Sequence, residues 1–315
     1  MPLIERLTAL LAEVEGTYGT DPTPTAADDA ISALDLSIVP QMEVHDRDVQ
    51  SSVFSNLVPV RGKQWYEVSF KTHVKWNNNT GGLLADFQDT PLWRAAGCAR
   101  TRSGVTPDVQ DAIDPSSSGS LDSATLYVFK DGVRHVVRGV RLNAKMILET
   151  GKPGVIEWSG KGLYQTPTDV ATPTPTYDST DPPAVLSSSF SYAAVTTPIP
   201  SKLEFDLGNV ISERPSSREA TGIVGFIITA RKPTIKIDPE QLLVATRNLF
   251  NDIANSTSIA IAIDAGSTNG NIVQLRAHTC YAKSLGEGSR EGVRTHEMEF
   301  VCAGTSNNEF QIVYT

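Results

Sequence analysis

Residues 124–162 read ATLYVFKDGVRHVVRGVRLNAKMILETGKPGVIEWSGKG. ATLYVFK and VRHVVR flank Asp131-Gly132, a pair suited to the positive φ angles of a type I′ turn, so the stretch predicts strand, tight turn, strand. Gly139 breaks the alternation as a bulge does. Beyond it Val140, Leu142, Ala144, Met146 and Leu148 fall on one face, and Arg141, Asn143 and Lys145 on the other. TGKPG at 150–154 then turns the chain into VIEWSGKG. The stretch is an antiparallel meander with one dry face, which predicts a mainly β fold.

The second half of the chain follows the same order. SIAIAI precedes the turn-rich DAGSTNGN, then IVQLRAHTCY, a glycine-rich turn predicted at GEGSREG (286–292), and HEMEFVCAG. VQLRAHTCY (273–281) matches VRLNAKMIL (140–148) in its Val, Leu and Ala. VIEWSGKG laid on EMEFVCAG pairs Ile156 with Met298, Glu157 with Glu299, Trp158 with Phe300 and Gly162 with Gly304. Upstream, DTPLWRAAG (89–97) and IDPEQLLVATRNLFNDIA (237–254) each predict a short helix entered through proline, which suits a first helical position because its missing N–H has no partner there. Earlier again, LDLSIVP (34–40) and FDLGNVI (205–211) lead to the strand-like runs QWYEVSFKTHVKW and GIVGFIITARK. The expectation is a tandem duplication of a mainly β domain, with the order strand, strand, helix, hairpin, strand in each copy. Its parts are an N-terminal arm at 1–32, a first domain at 33–164, a Pro/Thr-rich connector at 165–195 and a second domain at 196–315.

In the arm, Ile4, Leu7, Leu11 and Val14 fall at helical spacing before GTYGTDPTPT (16–25), which predicts a short amphipathic helix. Its stripe is buried either on its own domain or on a neighbour. Glu5, Arg6, Glu13 and Glu15 interrupt the apolar positions, so the start does not read as a secretory signal, and no stretch approaches the ~20 apolar residues of a membrane helix. A soluble chain made in the cytoplasm, with no membrane partner, is expected.

With 315 residues and 40% apolar content the chain can bury a sizeable core. Its 27 basic and 36 acidic side chains give a net charge of −9. They are interleaved, which disfavours tight nucleic-acid binding. Cys98, Cys280 and Cys302 are odd in number and outside any CxxC, against a disulfide framework or a zinc site.

Motifs for chemistry are missing. His45, His73, His135, His278 and His296 have no metal-ligand spacing, and EVHDRD (43–48) reads as a solvated loop. GEGSREG lacks the spacing of a nucleophile elbow, and no phosphate-binding glycine loop opens a helix. Glu297 and Glu299 share a strand face, as on any half-wet strand. No catalytic residue, metal or cofactor is expected. Trp76, Phe87 and Trp93 stand beside the glycine- and asparagine-rich loop of KWNNNTGGLLADFQDTPLW (75–93), either docking on another surface or closing on their own domain.

EGTYGTDPTPTAADDAI, VSFKTHVKWNNNTGG leading into PLWRAAG, VRGVRLNAKMILETGKPGVIEWSGKGLY, LEFDLGNVISER and the terminal NNEFQIVYT occur in an order that resembles the tail tube proteins of long-tailed, non-contractile bacteriophages. The resemblance covers most of the chain. It implies a structural virion protein whose domains are β-sandwiches or barrels of the tail tube type flanked by short helices, with inner sheets that join around a ring. The rings stack into a tube with other tail proteins, and viral DNA travels through the lumen to be ejected into the host. Such rings hold six domains, so a chain with two would close a trimeric ring with pseudo-sixfold symmetry, and a single domain with an insertion would make a hexamer.

A closed ring removes exposed sheet edges. A DNA conduit should not bind its cargo, because each neutralised phosphate adds affinity. Acids are therefore expected to outnumber bases at lumen-facing strand positions, with Glu157, Glu297 and Glu299 as candidates, although Arg141, Lys145, Arg276 and His278 make some polar faces basic. Candidates for subunit contact are Ile4, Leu7, Leu11, Tyr18, Trp76, Phe87 and Trp93. The alternatives are a different virion binding module, for capsid decoration or receptor binding, and a hydrolase.

Overall fold

The structure is a computed structural model that describes residues 6–50, 52, 54–76, 88–104, 110–116, 121–192, 200–266 and 271–315. The first half contains β1 (Thr8–Val14), β2 (Ala30–Ile31), β3 (Leu34–His45), β4 (Val60–His73), α1 (Thr90–Ala95), β5 (Cys98–Ser103), β6 (Gln110–Pro115), β7 (Ala124–Lys130), β8 (Val133–Glu149) and β9 (Val155–Leu163). Two short strands follow, β10 (Thr168–Asp169) and β11 (Ser189–Tyr192). The rest of the chain forms β12 (Lys202–Asp206), β13 (Asn209–Pro215), β14 (Ile223–Arg231), β15 (Thr234–Ile237), α2 (Leu249–Ala254), β16 (Ile259–Ala265), β17 (Val273–Arg290), β18 (Val293–Cys302) and β19 (Gln311–Tyr314). The fold is mainly β, as the alternation predicts.

The stretch that decides the fold forms as read. Asp131 and Gly132 take φ +40° and +93° between β7 and β8, and Gly139, at φ +59°, lies at the bulge where the β7–β8 register slips. Val140, Leu142, Ala144, Met146 and Leu148 are all buried.

Eight strands make one antiparallel run in the order β3-β4-β9-β8-β12-β15-β18-β17. Its first four members and its last four follow the same connection order. The long strands β8 and β17 each leave this run at their N-terminal ends, where β7 and β16 respectively pair with them in a second layer. β1 extends that layer beside β7, and β19 joins β17 to β6 and thence to β5. One core fills the space between the layers, with Trp76, Trp93, Trp158, Tyr192, Phe205, Phe300 and Phe310 nearly or fully enclosed.

Several local expectations need correction. Residues 8–14 are a strand, not a helix: β1 pairs with β7 and β2, turning Leu10 and Ala12 to the main core and Ala9 and Leu11 to a smaller cluster behind it. A strand buried on both faces reads as a continuous apolar run, and tertiary pairing overrides helix propensity there. Residues 239–241 are also not helical. The Pro239 carbonyl accepts the His296 N–H and the Gln241 N–H donates to Arg294, tying this segment to β18. The helix starts only at Leu249, where the Asn248 side chain accepts from the Asn251 N–H. By contrast α1 follows the reading closely, with proline in its first turn and Gly97 at φ +79° after it. The predicted turn at 286–292 shrinks to Glu291-Gly292, at φ +48° and +87°, because β17 continues to Arg290.

VRLNAKMIL and VQLRAHTCY are not equivalent in place. The first lies between β9 and β12, whereas the second lies largely against β16 and β19. Alternation alone produced their likeness. VIEWSGKG and EMEFVCAG, in β9 and β18, do hold matching positions in the strand order.

Candidate functional site

Two surfaces of the eight-strand run stand out: its polar face and its two ends. The polar face carries charge in rows that run across the strands. One row reads Lys71, Glu157, Lys145, Asp206 from β4 through β9 and β8 to β12. The next reads Glu204, Lys236, Glu299 from β12 through β15 to β18. Opposite charges face each other at nearly every step, the favourable cross-strand arrangement. Lys71 Nζ is 3.4 Å from Glu157 and 3.2 Å from Asp35, Lys145 Nζ is 2.9 Å from Glu204, and Lys283 Nζ is 2.6 Å from Glu299. Asn143 donates to Asp206 at 2.9 Å.

These contacts set protonation. The Lys283 hydrogen bond holds Glu299 below its ordinary carboxylate range. Burial pushes Glu204 upward, but its bonds to Lys202 and Lys145 outweigh that and leave it lowered. Hydrogen bonds that Lys71 donates to Asp35 and Glu157 raise its pKa. Glu299, Glu204 and Lys71 are thereby all held in their charged forms at neutral pH. The two rows together hold three lysines and four carboxylates, and Glu297 stands one step beyond Glu299 on the same face, exposed. The three lumen candidates thus share one face.

The ends of the run differ from its middle. At the centre β8 meets β12 in the register Met146 with Phe205 and Leu148 with Leu203, and all four are buried. At the ends, among the described residues, β3 has only β4 beside it, and β17 from Ser284 to Gly288 has only β18. Leu36 and Leu285, which hold the places there that Phe205 and Met146 hold at the centre, are only partly buried, and Leu34 is 40% exposed. Open backbone and half-covered leucines make both ends pairing edges.

The chain at Gly208, φ +62°, departs from the run. The β13–β14 hairpin there crosses onto the first half, where the Asn209 N–H donates to Asn143 at 2.9 Å and the Gln64 N–H donates to Thr221 at 3.0 Å. Lys63 pairs with Glu213, and Tyr18 accepts the Phe226 N–H at 2.6 Å. A cleft of about 610 Å³ between hairpin and body is lined by Tyr18, Arg141, Arg214, Phe226 and Arg231.

The remaining sequence candidates scatter. Trp76 and Trp93 are 1% exposed and fill the interior, Trp76 donating to the buried Asp111 at 2.9 Å. Leu11 is buried in the cluster behind β1, and Leu7 is 49% exposed. Ile4 and Phe87 lie outside the described residues. Among the described residues no three His, Cys, Asp or Glu side chains are grouped to hold a metal, and no helix is long and apolar enough to cross a membrane.

A polar, charge-paired sheet face thus lies between two open pairing edges. A family model described as phage tail tube protein matches residues 6–302. The chain belongs to the phage tail tube protein family. It is accordingly a structural component of the virion tail, from a family of tube-forming proteins and not an enzyme family. Tube subunits assemble with one another and with other tail proteins. No curated protein matched the chain.

The sequence did not reveal three buried carboxylates that brace this tube subunit. Glu15 accepts from the N–H groups of Gly19 and Gly139, each at 2.6 Å, and from Ser123 and Thr125 at 2.5 and 2.7 Å. Asp111 receives Trp76 and, at 2.8 Å, Arg100. Asp89 accepts from Thr72 at 3.2 Å, and burial pushes it up to about 7. Apart from Gly19, four residues after Glu15, their partners are distant in sequence, so no local motif announces them.

Proposed function

We propose that the chain is the subunit of stacked rings that form the tail tube, and that three subunits close each ring. The carrying observation is the strand order: β3-β4-β9-β8 followed by β12-β15-β18-β17 is one four-strand pattern used twice, joined by the buried β8–β12 seam. This supports two tube-type units, at 33–164 and 196–315, with residues 1–32 as an arm and 165–195 as a connector. The open edges of β17 and β3 then join between neighbours as β8 and β12 join within the chain, Ser284 to Gly288 lying against residues 33–37. Six units give a continuous barrel without free edges.

The core-facing side of the run is occupied by the second layer and β13–β14 covers the polar face near Asn143 and Ser159, which leaves the charged rows of that face for the lumen. Glu157, Glu297 and Glu299 line it in this reading. Lysines already neutralised by carboxylates offer little to DNA phosphates, so DNA passes without specific binding during ejection. Assembly takes place in the host cytoplasm.

Negative-stain electron microscopy of the purified protein tests this. Rings and tubes with three chains per ring are expected. Rings of six chains would overturn the duplicated-unit reading, and a monomer at all concentrations would overturn the tube subunit itself.

A further inference from the structure

The β13–β14 hairpin shows what the distal end of a unit does in this chain: it bends at Gly208, crosses the β12–β8 seam and lies on the polar face of the neighbouring unit, against β8 and β9. The matching part of the first unit is the far end of the β3–β4 hairpin. Among the described residues that end has no such seat. Val39 is 44% exposed, Val44 55%, Leu57 44%, Val58 80% and Val60 53%. With Val49, 57% exposed, these six large aliphatic side chains along one hairpin end exceed the scattered apolar exposure usual on a monomer.

We infer that the β3–β4 hairpin end, residues 39–50 and 54–60, clamps onto a second copy of this chain in the same ring, seated on that copy's β17–β18 face around Tyr281 and Val301. This rests on the ring reading. The geometry follows from the internal example. Within the chain the hairpin of one unit crosses to the unit whose long strand meets its first strand. Around the ring, β3 meets the neighbour's β17, so its hairpin crosses to β17 and β18. Tyr281 and Val301 face each other there on the polar side, Tyr281 being 37% exposed. They hold the position that β13–β14 covers on β8 and β9.

Closing the clamp buries aliphatic surface that water otherwise contacts, and it straddles the joint between copies. The seam pairs backbone, while the clamp adds side-chain burial on the next strand pair. The two contributions are separable.

A photo-reactive benzoylphenylalanine at Val58 in assembled protein, prepared from mixed light and heavy isotope subunits, tests this by mass spectrometry. The expected product joins residue 58 to the segment 278–303 and contains one light and one heavy partner. Electron microscopy of the same sample reports ring closure independently. Intact rings with cross-links only to other segments, including residues presented by an adjacent ring, overturn the clamp and leave the ring standing. Absence of both rings and inter-copy products removes the ring reading, and the clamp with it. Val44→Asp together with Val58→Asp should raise the concentration needed for assembly about tenfold while leaving the monomer's melting temperature unchanged. Unchanged assembly by that double variant equally overturns the clamp.

Discussion

The hydroxyl of Tyr18 accepts the backbone N–H of Phe226 at 2.6 Å and donates to the Gly139 carbonyl at 3.0 Å. One phenol therefore ties the N-terminal segment, the bulge of β8 and the β13–β14 hairpin into a single joint. The joint is tight: a Cβ on Gly225 or Gly139 would come within 2.6 Å of the Tyr18 ring. Replacing Tyr18 with Phe leaves the Phe226 N–H without its acceptor, and an unmade bond to a part-buried group costs about 1–3 kcal/mol. Hydrogen exchange should accelerate at Phe226 and its β14 neighbours in Tyr18→Phe, with β7 and β9 unchanged. Uniform acceleration would mean that the joint is not local.

Glu15 makes a stronger demand. Its carboxylate satisfies two backbone N–H groups and two hydroxyls inside the protein, so Glu15→Ala strands several buried donors at once. A loss of at least about 3 kcal/mol is expected in urea unfolding. Glu15→Gln retains one acceptor oxygen and should fall between the two.

The seam and the open edges should respond differently to truncation. Phe205→Ala empties a fully enclosed site and should cost about 3–5 kcal/mol in the monomer. Leu285→Ala, at a half-covered edge, should cost about 1 kcal/mol or less in the monomer yet impair assembly strongly. Paired unfolding and light-scattering measurements separate the cases. Equal monomer losses would show that the β17 edge is already complete within one chain.

Stability should depend on pH through Asp89. Burial raises this carboxyl from its ordinary 3.8 to about 7, so the folded protein binds a proton that the unfolded chain releases. The folded state is then favoured below about pH 4 and loses this contribution as pH rises to 7. Asp89→Asn stays neutral throughout. It should stabilise the protein at pH 8 by on the order of 4 kcal/mol relative to the parent, with the difference fading towards pH 4. Melting curves across that range provide the check; a constant difference would assign the effect to packing.

The charge rows predict the behaviour of the wall towards DNA. Glu157→Gln, Glu204→Gln and Glu299→Gln together free Lys145 and Lys283 from these partners and leave Lys71 with Asp35 alone. The triple variant should retain duplex DNA at ~50 mM salt and release it by ~200 mM, while the parent binds at neither. Binding by the parent at low salt would contradict a non-adhesive lumen.

Much of this architecture was legible from alternation and turn chemistry. Asp131-Gly132, the Gly139 bulge and the dry face from Val140 to Leu148 are local signals, and the folded chain reproduces them. Failures arose where long-range pairing decided the outcome. Residues 8–14 carry helical spacing but insert between β7 and β2, and 239–241 follow a strand because β18 lies beside them. Trp76 looked like a docking residue because its buried partner, Asp111, is 35 positions away. Edges leave no sequence signal at all, since Leu36 and Phe205 look equally apolar and only the sheet order separates a covered site from an open one.

Because β8 and β12 belong to one polypeptide, their junction forms at the effective concentration of a tethered pair rather than by collision of separate molecules. In a ring of three such chains, half of the six joints arise during folding. Closure then requires three bodies to meet instead of six, with correspondingly less translational and rotational freedom surrendered.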